Sequence, residues 1–98
     1  MDLAKLQYLA GEWRKKTYPG STLQDILQKL SEETGEANGA EFKHKWARSE
    51  EFKSKHKRNM YEEFGDVGLT LLSACEFMNW DLETLLIKRA AEKGMLDG

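Results

Sequence analysis

An all-α fold of four helices is what this sequence predicts, and three observations carry the expectation. Only one proline occurs in 98 residues. Val, Ile and Thr, which favour strands, are scarce. No stretch alternates apolar and polar residues over the length of a strand, whereas apolar residues recur at spacings of three and four. The length fits one small domain spanning residues 1–98. A domain of this size buries a limited share of its surface, so oligomerisation is a natural supplement to its core.

The first helix is expected from about Leu3 to Lys15, with Leu3, Leu6, Leu9 and Trp13 at helical spacing. Tyr18-Pro19-Gly20 then breaks the chain. Ser21 with Gln24 three residues on reads as a capping box opening the second helix, whose apolar face is Leu23, Ile26, Leu27 and Leu30. That helix is expected to stop near Asn38-Gly39. Residues 40–58 hold only Phe42, Trp46 and Phe52 as large apolar residues and read as a solvated loop or loose helical segment. A third helix is expected from about Asn59 to Met78, and its stretch from Val67 to Met78 is apolar nearly all round, as in a buried central helix. Asn79 suits a left-handed stop. Asp81 caps a fourth helix that runs to Lys93 and ends at Gly94.

Composition narrows the functional classes. Hydrophobic residues make up 40%, charged residues 33%, and the net charge is −2. The whole-chain balance therefore favours neither nucleic acid nor a membrane surface. Seven Lys and Arg residues nevertheless fall between Lys43 and Arg58, with His44 and His56 among them, both expected to be exposed. The single cysteine, Cys75, excludes an intrachain disulfide framework, and its apolar surroundings predict a buried, inert thiol. No apolar run approaches the roughly 18 residues a bilayer span requires, and the N-terminus lacks the apolar stretch of a signal peptide. A cytoplasmic protein is expected.

Two acidic runs concentrate the chemistry: Glu32-Glu33-Thr34-Gly35-Glu36 and Glu62-Glu63-Phe64-Gly65-Asp66. Glu33 with Glu36, and Glu63 with Asp66, stand three residues apart and are neighbours on a helix surface. On helical wheels Glu33 and Glu63 both lie roughly 70° to the same side of their apolar direction, with Glu36 and Asp66 further round. Glu32 and Glu62 face solvent. An antiparallel pair of helices brings equivalent edges to one side, so Glu33, Glu36, Glu63 and Asp66 should line one groove. Four crowded carboxylates repel one another unless protonated or neutralised. An all-oxygen donor set of this kind suits a hard divalent cation such as Mg2+, with Mn2+ as an alternative.

At these residues the sequence resembles the MazG-type, all-α nucleoside triphosphate pyrophosphohydrolases. The motif of that family is Glu-x-x-Glu, a spacer, then Glu-x-x-Asp on two antiparallel helices, here Glu33-Thr34-Gly35-Glu36 and Glu63-Phe64-Gly65-Asp66. The surroundings Lys29-Leu30-Ser31-Glu32 and Glu62, and Asp81-Leu82-Glu83 with Lys88 following, are similar too. The similarity covers about Leu23 to Gly94. It implies a MazG-like bundle, a homodimer or homotetramer, and Mg2+-dependent cleavage of a (deoxy)nucleoside triphosphate to the monophosphate and pyrophosphate. By that resemblance Glu33, Glu36, Glu63 and Asp66 hold the metal, and Glu33 or Glu36 is the candidate for general base. Lys29 and Lys88 are candidates to contact phosphates, and Trp13, Tyr18 and Trp46 to stack on a base. Some relatives carry an asparagine soon after the last-helix lysine, and after Lys88 this chain has none.

Three other readings compete. A di-iron bundle uses Glu-x-x-His pairs on two helices, but that spacing occurs here once, at Glu41 and His44. A phosphoribosyl-ATP pyrophosphatase keeps the fold and reaction with another substrate. A small oligomeric interaction module is the third, its basic segment binding nucleic acid or an acidic partner. The segment lacks the pattern of a recognition helix, which makes nucleic acid the lesser expectation.

Overall fold

The computed structural model describes residues 1–97. Four helices follow in order: α1 (Leu3–Thr17), α2 (Leu23–Lys45), α3 (Glu50–Phe77) and α4 (Leu82–Glu92), with no strand among the described residues. The Asp2 carboxylate caps α1 by accepting from the Lys5 amide at 2.8 Å, and Arg14, Lys15 and Lys16 fall in its last turn, where the helix dipole favours cations. The break at residues 18–20 closes with Gly20 at φ 80°, a left-handed geometry that glycine takes without strain.

The capping box of α2 sits one residue later than the sequence suggested. Thr22 accepts from the Asp25 amide at 3.2 Å and Asp25 accepts from the Thr22 amide at 2.9 Å. A carboxylate at the third position satisfies the same amide as a glutamine and also complements the positive end of the helix. Ser21 is left to donate to the Tyr18 carbonyl.

The segment 40–58, expected as a loop or loose helical segment, is regular helix apart from a four-residue connection, 46–49. Asn38-Gly39 does not stop α2, because Ala37 and Ala40 are buried in the seam that began with Ile26 and Glu33. Small residues let two backbones approach, and helix stability comes from such tertiary packing more than from a stripe of large side chains. The Ser49 hydroxyl caps α3 at the Phe52 amide, 3.2 Å away, with Glu50 and Glu51 in the first turn. The helix thus starts nine residues earlier than periodicity indicated. At its other end the expectations hold: Asn79 is left-handed at φ 58°, Asp81 accepts from the Thr84 amide at 3.0 Å, and Gly94 follows α4 at φ 77°.

The long α3 is the spine. α2 runs beside it, α1 packs on its C-terminal half, and α4 touches α1. Leu72, Cys75 and Leu82 form the core with Leu3, Leu6, Ala10 and Leu85 against them. Cys75 is buried, and burial together with the nearby Asp81 charge pushes its thiol up, as expected for an inert sulfur. The apolar stretch of α3 is not sealed all round. Leu72 to Cys75 is buried, while Leu69, Leu71 and Phe77 stay exposed.

Two polar ties hold α1 in place. Gln7 donates to the Trp80 carbonyl at 2.6 Å and accepts from the Leu82 amide at 3.0 Å, pinning the α3–α4 turn. Arg14 is buried and donates to the Ser73 carbonyl and hydroxyl at 2.7 and 3.0 Å and to Glu76 at 2.7 Å. Glu76 also pairs with Lys15 at 3.1 Å. Burial pushes the Glu76 carboxyl up, but its bonds from Lys15 and Arg14 outweigh that and hold it below its ordinary value.

Gly11 lets Glu76 reach these partners, since a methyl group there would overlap the Glu76 carboxylate. Gly11→Ala is therefore expected to lower the melting temperature despite the better helix propensity of alanine. Gly68→Ala, at a position with open space around it, should raise it by about 4–8 °C for each kcal/mol gained, and the gain is at most about 1 kcal/mol. Thermal melts of the two variants check both signs.

Candidate functional site

The packing of α2 on α3 brings acid oxygens together. Glu33 and Glu36 from α2 and Glu63 from α3 each offer a carboxylate oxygen, and these lie within 4.8 Å of one another. Glu33 is buried at 7% exposure. One oxygen of Glu33 and one of Glu63 are shut off from solvent with no hydrogen-bond partner. The other Glu33 oxygen pairs with Lys29 at 3.1 Å. That bond, then the Glu33 charge, raises the Lys29 pKa. Burial, a hydrogen bond shared with Glu36, and the charges of Glu36, Glu33 and Asp66 push Glu63 up to about 7.

Asp66 stands outside this three-residue group. It lies one turn along α3 and, with Glu33, faces a cavity of about 1280 Å³ bounded by α1, α2 and α3. Trp13, Tyr18 and Lys29 line the same cavity. The Trp13 and Tyr18 rings meet edge to face with centroids 5.8 Å apart, and both are more than half exposed. Aliphatic side chains such as Leu9, Ile26 and Leu69 also line the cavity.

Other candidates lie elsewhere. Trp46 ends α2 and Lys88 lies exposed on α4, and neither lines the cavity. Glu32 is exposed, as its wheel position indicated, and it also borders the cavity with Lys29 3.9 Å away. His44 and His56 are half-buried rather than exposed, because the segment that carries them is helix packed in the α2–α3 seam. Neither belongs to the carboxylate group, nor does Glu41. Arg14, Thr70 and Ser73, which also border the cavity, escaped the sequence reading. Their signal was there: Arg14 falls in phase with Leu3, Leu6 and Ala10, and Glu76 interrupts the apolar stretch of α3. A charge in each of two stripes that must pack together marks a buried pair.

Compared with known protein families, with curated proteins and with solved structures, the chain finds no match.

The donor set is all oxygen, and two of its buried oxygens lack partners. Unpaired buried acceptors are costly, and a hard divalent cation satisfies several at once. The group has the donor chemistry of a Mg2+ or Mn2+ site, in which Glu33, Glu36 and Glu63 would be the ligands and Asp66 would stand at the edge.

The sign of the pH response follows from Glu63. Its carboxyl binds a proton more tightly folded than unfolded, so its contribution is present at low pH and lost as pH rises from about 4.5 through about 7. Asp25, Asp81 and Glu76 have lowered pKa values and act the other way, but only in acid. In chelator, the melting temperature is expected to fall between about pH 5 and about pH 7.5. Glu63→Gln should flatten that fall. An unchanged slope in the variant assigns the titration elsewhere.

Proposed function

We propose that this protein is a metal-dependent hydrolase that cleaves a (deoxy)nucleoside triphosphate to the monophosphate and pyrophosphate. The observation that carries the reading is the convergence of Glu33, Glu36 and Glu63 within 4.8 Å, beside a cavity walled by Trp13 and Tyr18. The two acidic motifs and their similarity to MazG-type enzymes support the same reading. Glu33, Glu36, Glu63 and Asp66 hold Mg2+, which when bound offsets the charge of the triphosphate and makes the phosphorus a better electrophile.

The chain's own residues do the rest. Trp13 and Tyr18 offer ring faces to a base, and the aliphatic residues lining the cavity exclude water around it. Lys29, already paired with Glu33 at 3.1 Å, lines the same cavity and supplies a cation to meet a phosphate there. Glu36, the exposed member of the group, is the candidate to take a proton from an attacking water, with Glu33 held as a fixed charge by Lys29. A homodimer or homotetramer is part of the proposal, and exposed Phe64, Leu71, Leu86 and Ile87 support it. The described helices include none long and apolar enough to cross a membrane.

A panel of canonical and modified ribo- and deoxynucleoside triphosphates, with Mg2+ present or chelated, tests the proposal. Monophosphate and pyrophosphate are the expected products, and diphosphate contradicts it. Glu63→Gln should lower turnover by more than about tenfold with the fold intact by circular dichroism. Full activity in that variant removes Glu63 from the site.

A further inference from the structure

Residues 41–58 take no part in the acidic site, yet they form the most distinctive surface on the molecule. Because the segment is helical, its side chains have fixed places. The seam of α2 against α3 runs through Ile26, Glu33, Ala37 and Ala40. At about 100° per residue, Phe42 and Trp46 fall on the opposite, outward side. They are 62% and 64% exposed, with ring centroids 6.3 Å apart and planes tilted by 51°. Lys43 and Lys45 flank this ring pair on its two sides, and the Lys45 ammonium lies 5.7 Å from the Trp46 ring centre. Across the connection Phe52, 54% exposed, lies nearly parallel to the His56 ring at 6.4 Å.

Charge is segregated along the same lines. Residues 41–58 hold seven Lys and Arg against three Glu, a net +4, while the remainder of the chain holds eight against fourteen acids, a net −6. Lys53 pairs with Glu50 at 3.7 Å. The other six cations form no ion pair among the described residues.

A merely solvated helix tip has no need of exposed Phe and Trp. An apolar partner would strip water from the lysines that punctuate the rings. A polymer that is anionic along its backbone and flat and aromatic in its side groups satisfies both features. Duplex nucleic acid keeps its base faces stacked inside, out of reach of these rings. Single strands present them, and stacking on aromatic side chains is tolerant of sequence.

We propose that the hairpin tip binds single-stranded nucleic acid, its bases stacked on Phe42, Trp46 and Phe52 and its phosphates met by Lys43, Lys45 and Arg48. The surface is separate from the carboxylate group and independent of any hydrolase activity.

Fluorescence anisotropy with labelled oligo-dT and oligo-U of about twenty nucleotides, longer than one site, in chelator and low salt, tests it on the full chain. Binding is expected to weaken with salt with a log–log slope of about −2, near −0.7 for each of three cations. Trp46→Ala should weaken binding by at least about fivefold, the low end of one stacked base, at unchanged charge. Trp46→Phe, which keeps a ring, should retain most of it, and both variants should melt like the parent because Trp46 is exposed. Lys43→Glu with Lys45→Glu should weaken binding further. Equal affinity for the Trp46→Ala variant overturns the proposal, as does a duplex bound as tightly as a single strand. Absence of binding at low salt overturns it too. So does the finding that loss of Phe42 and Trp46 alters only the oligomeric state.

Discussion

Everything at the candidate site depends on like charges held together by backbone packing. Glu33, Glu36 and Glu63 converge because α2 and α3 approach along Ala37 and Ala40. Their mutual repulsion opposes that approach. In the metal-free protein the proton on Glu63, bound up to about pH 7, relieves part of it. The proposed divalent cation would relieve more, and at a pH where the proton is gone. Whatever neutralises the carboxylates therefore also favours the helix pair that carries them.

The cavity depends on a second arrangement, the seating of α1. Arg14 reaches α3 through Ser73 and Glu76, and Gly11 clears the way for Glu76. That clamp ties the end of α1 to α3, and with it Trp13 and Tyr18, which line the same cavity as Glu33 and Asp66. Breaking a buried pair on one side leaves an uncompensated charge, so the clamp resists loss of either partner. The many exposed apolar side chains on α3 and α4 belong to a different need. A chain this small, with no large side chain fully buried among the described residues, would gain by covering them in the proposed assembly.

Much of this was legible in the residues. Caps are local chemistry, so Asp81, Asn79 and Gly94 could be read directly, and the box at α2 was misplaced by one position only because two adjacent hydroxyls compete for it. The phase of the acidic pairs depends on helical geometry alone, and three of the four carboxylates meet, but Leu27, Phe64 and Leu71, which set the apolar direction of the wheels, are exposed, and α2 packs through Glu33 itself. What the sequence hid is tertiary. The helix over residues 40–45 continues a seam of small residues, Ala37 and Ala40, and that over 50–58 half-buries only Lys53 and His56, so neither shows an amphipathic stripe of large apolar residues. The Arg14–Glu76 pair joins residues 62 positions apart. The roles considered for Trp46 and Lys88 could be separated from those of Trp13 and Lys29 only once the cavity had a position.

The most direct measurement is crystallographic. Crystals grown with Mn2+ and recorded near the manganese absorption edge locate the ion by anomalous scattering. The account predicts a peak among the carboxylates of Glu33, Glu36 and Glu63, lost in the Glu63→Gln variant. A well-ordered trio with no peak, or manganese bound only elsewhere on the chain, contradicts it.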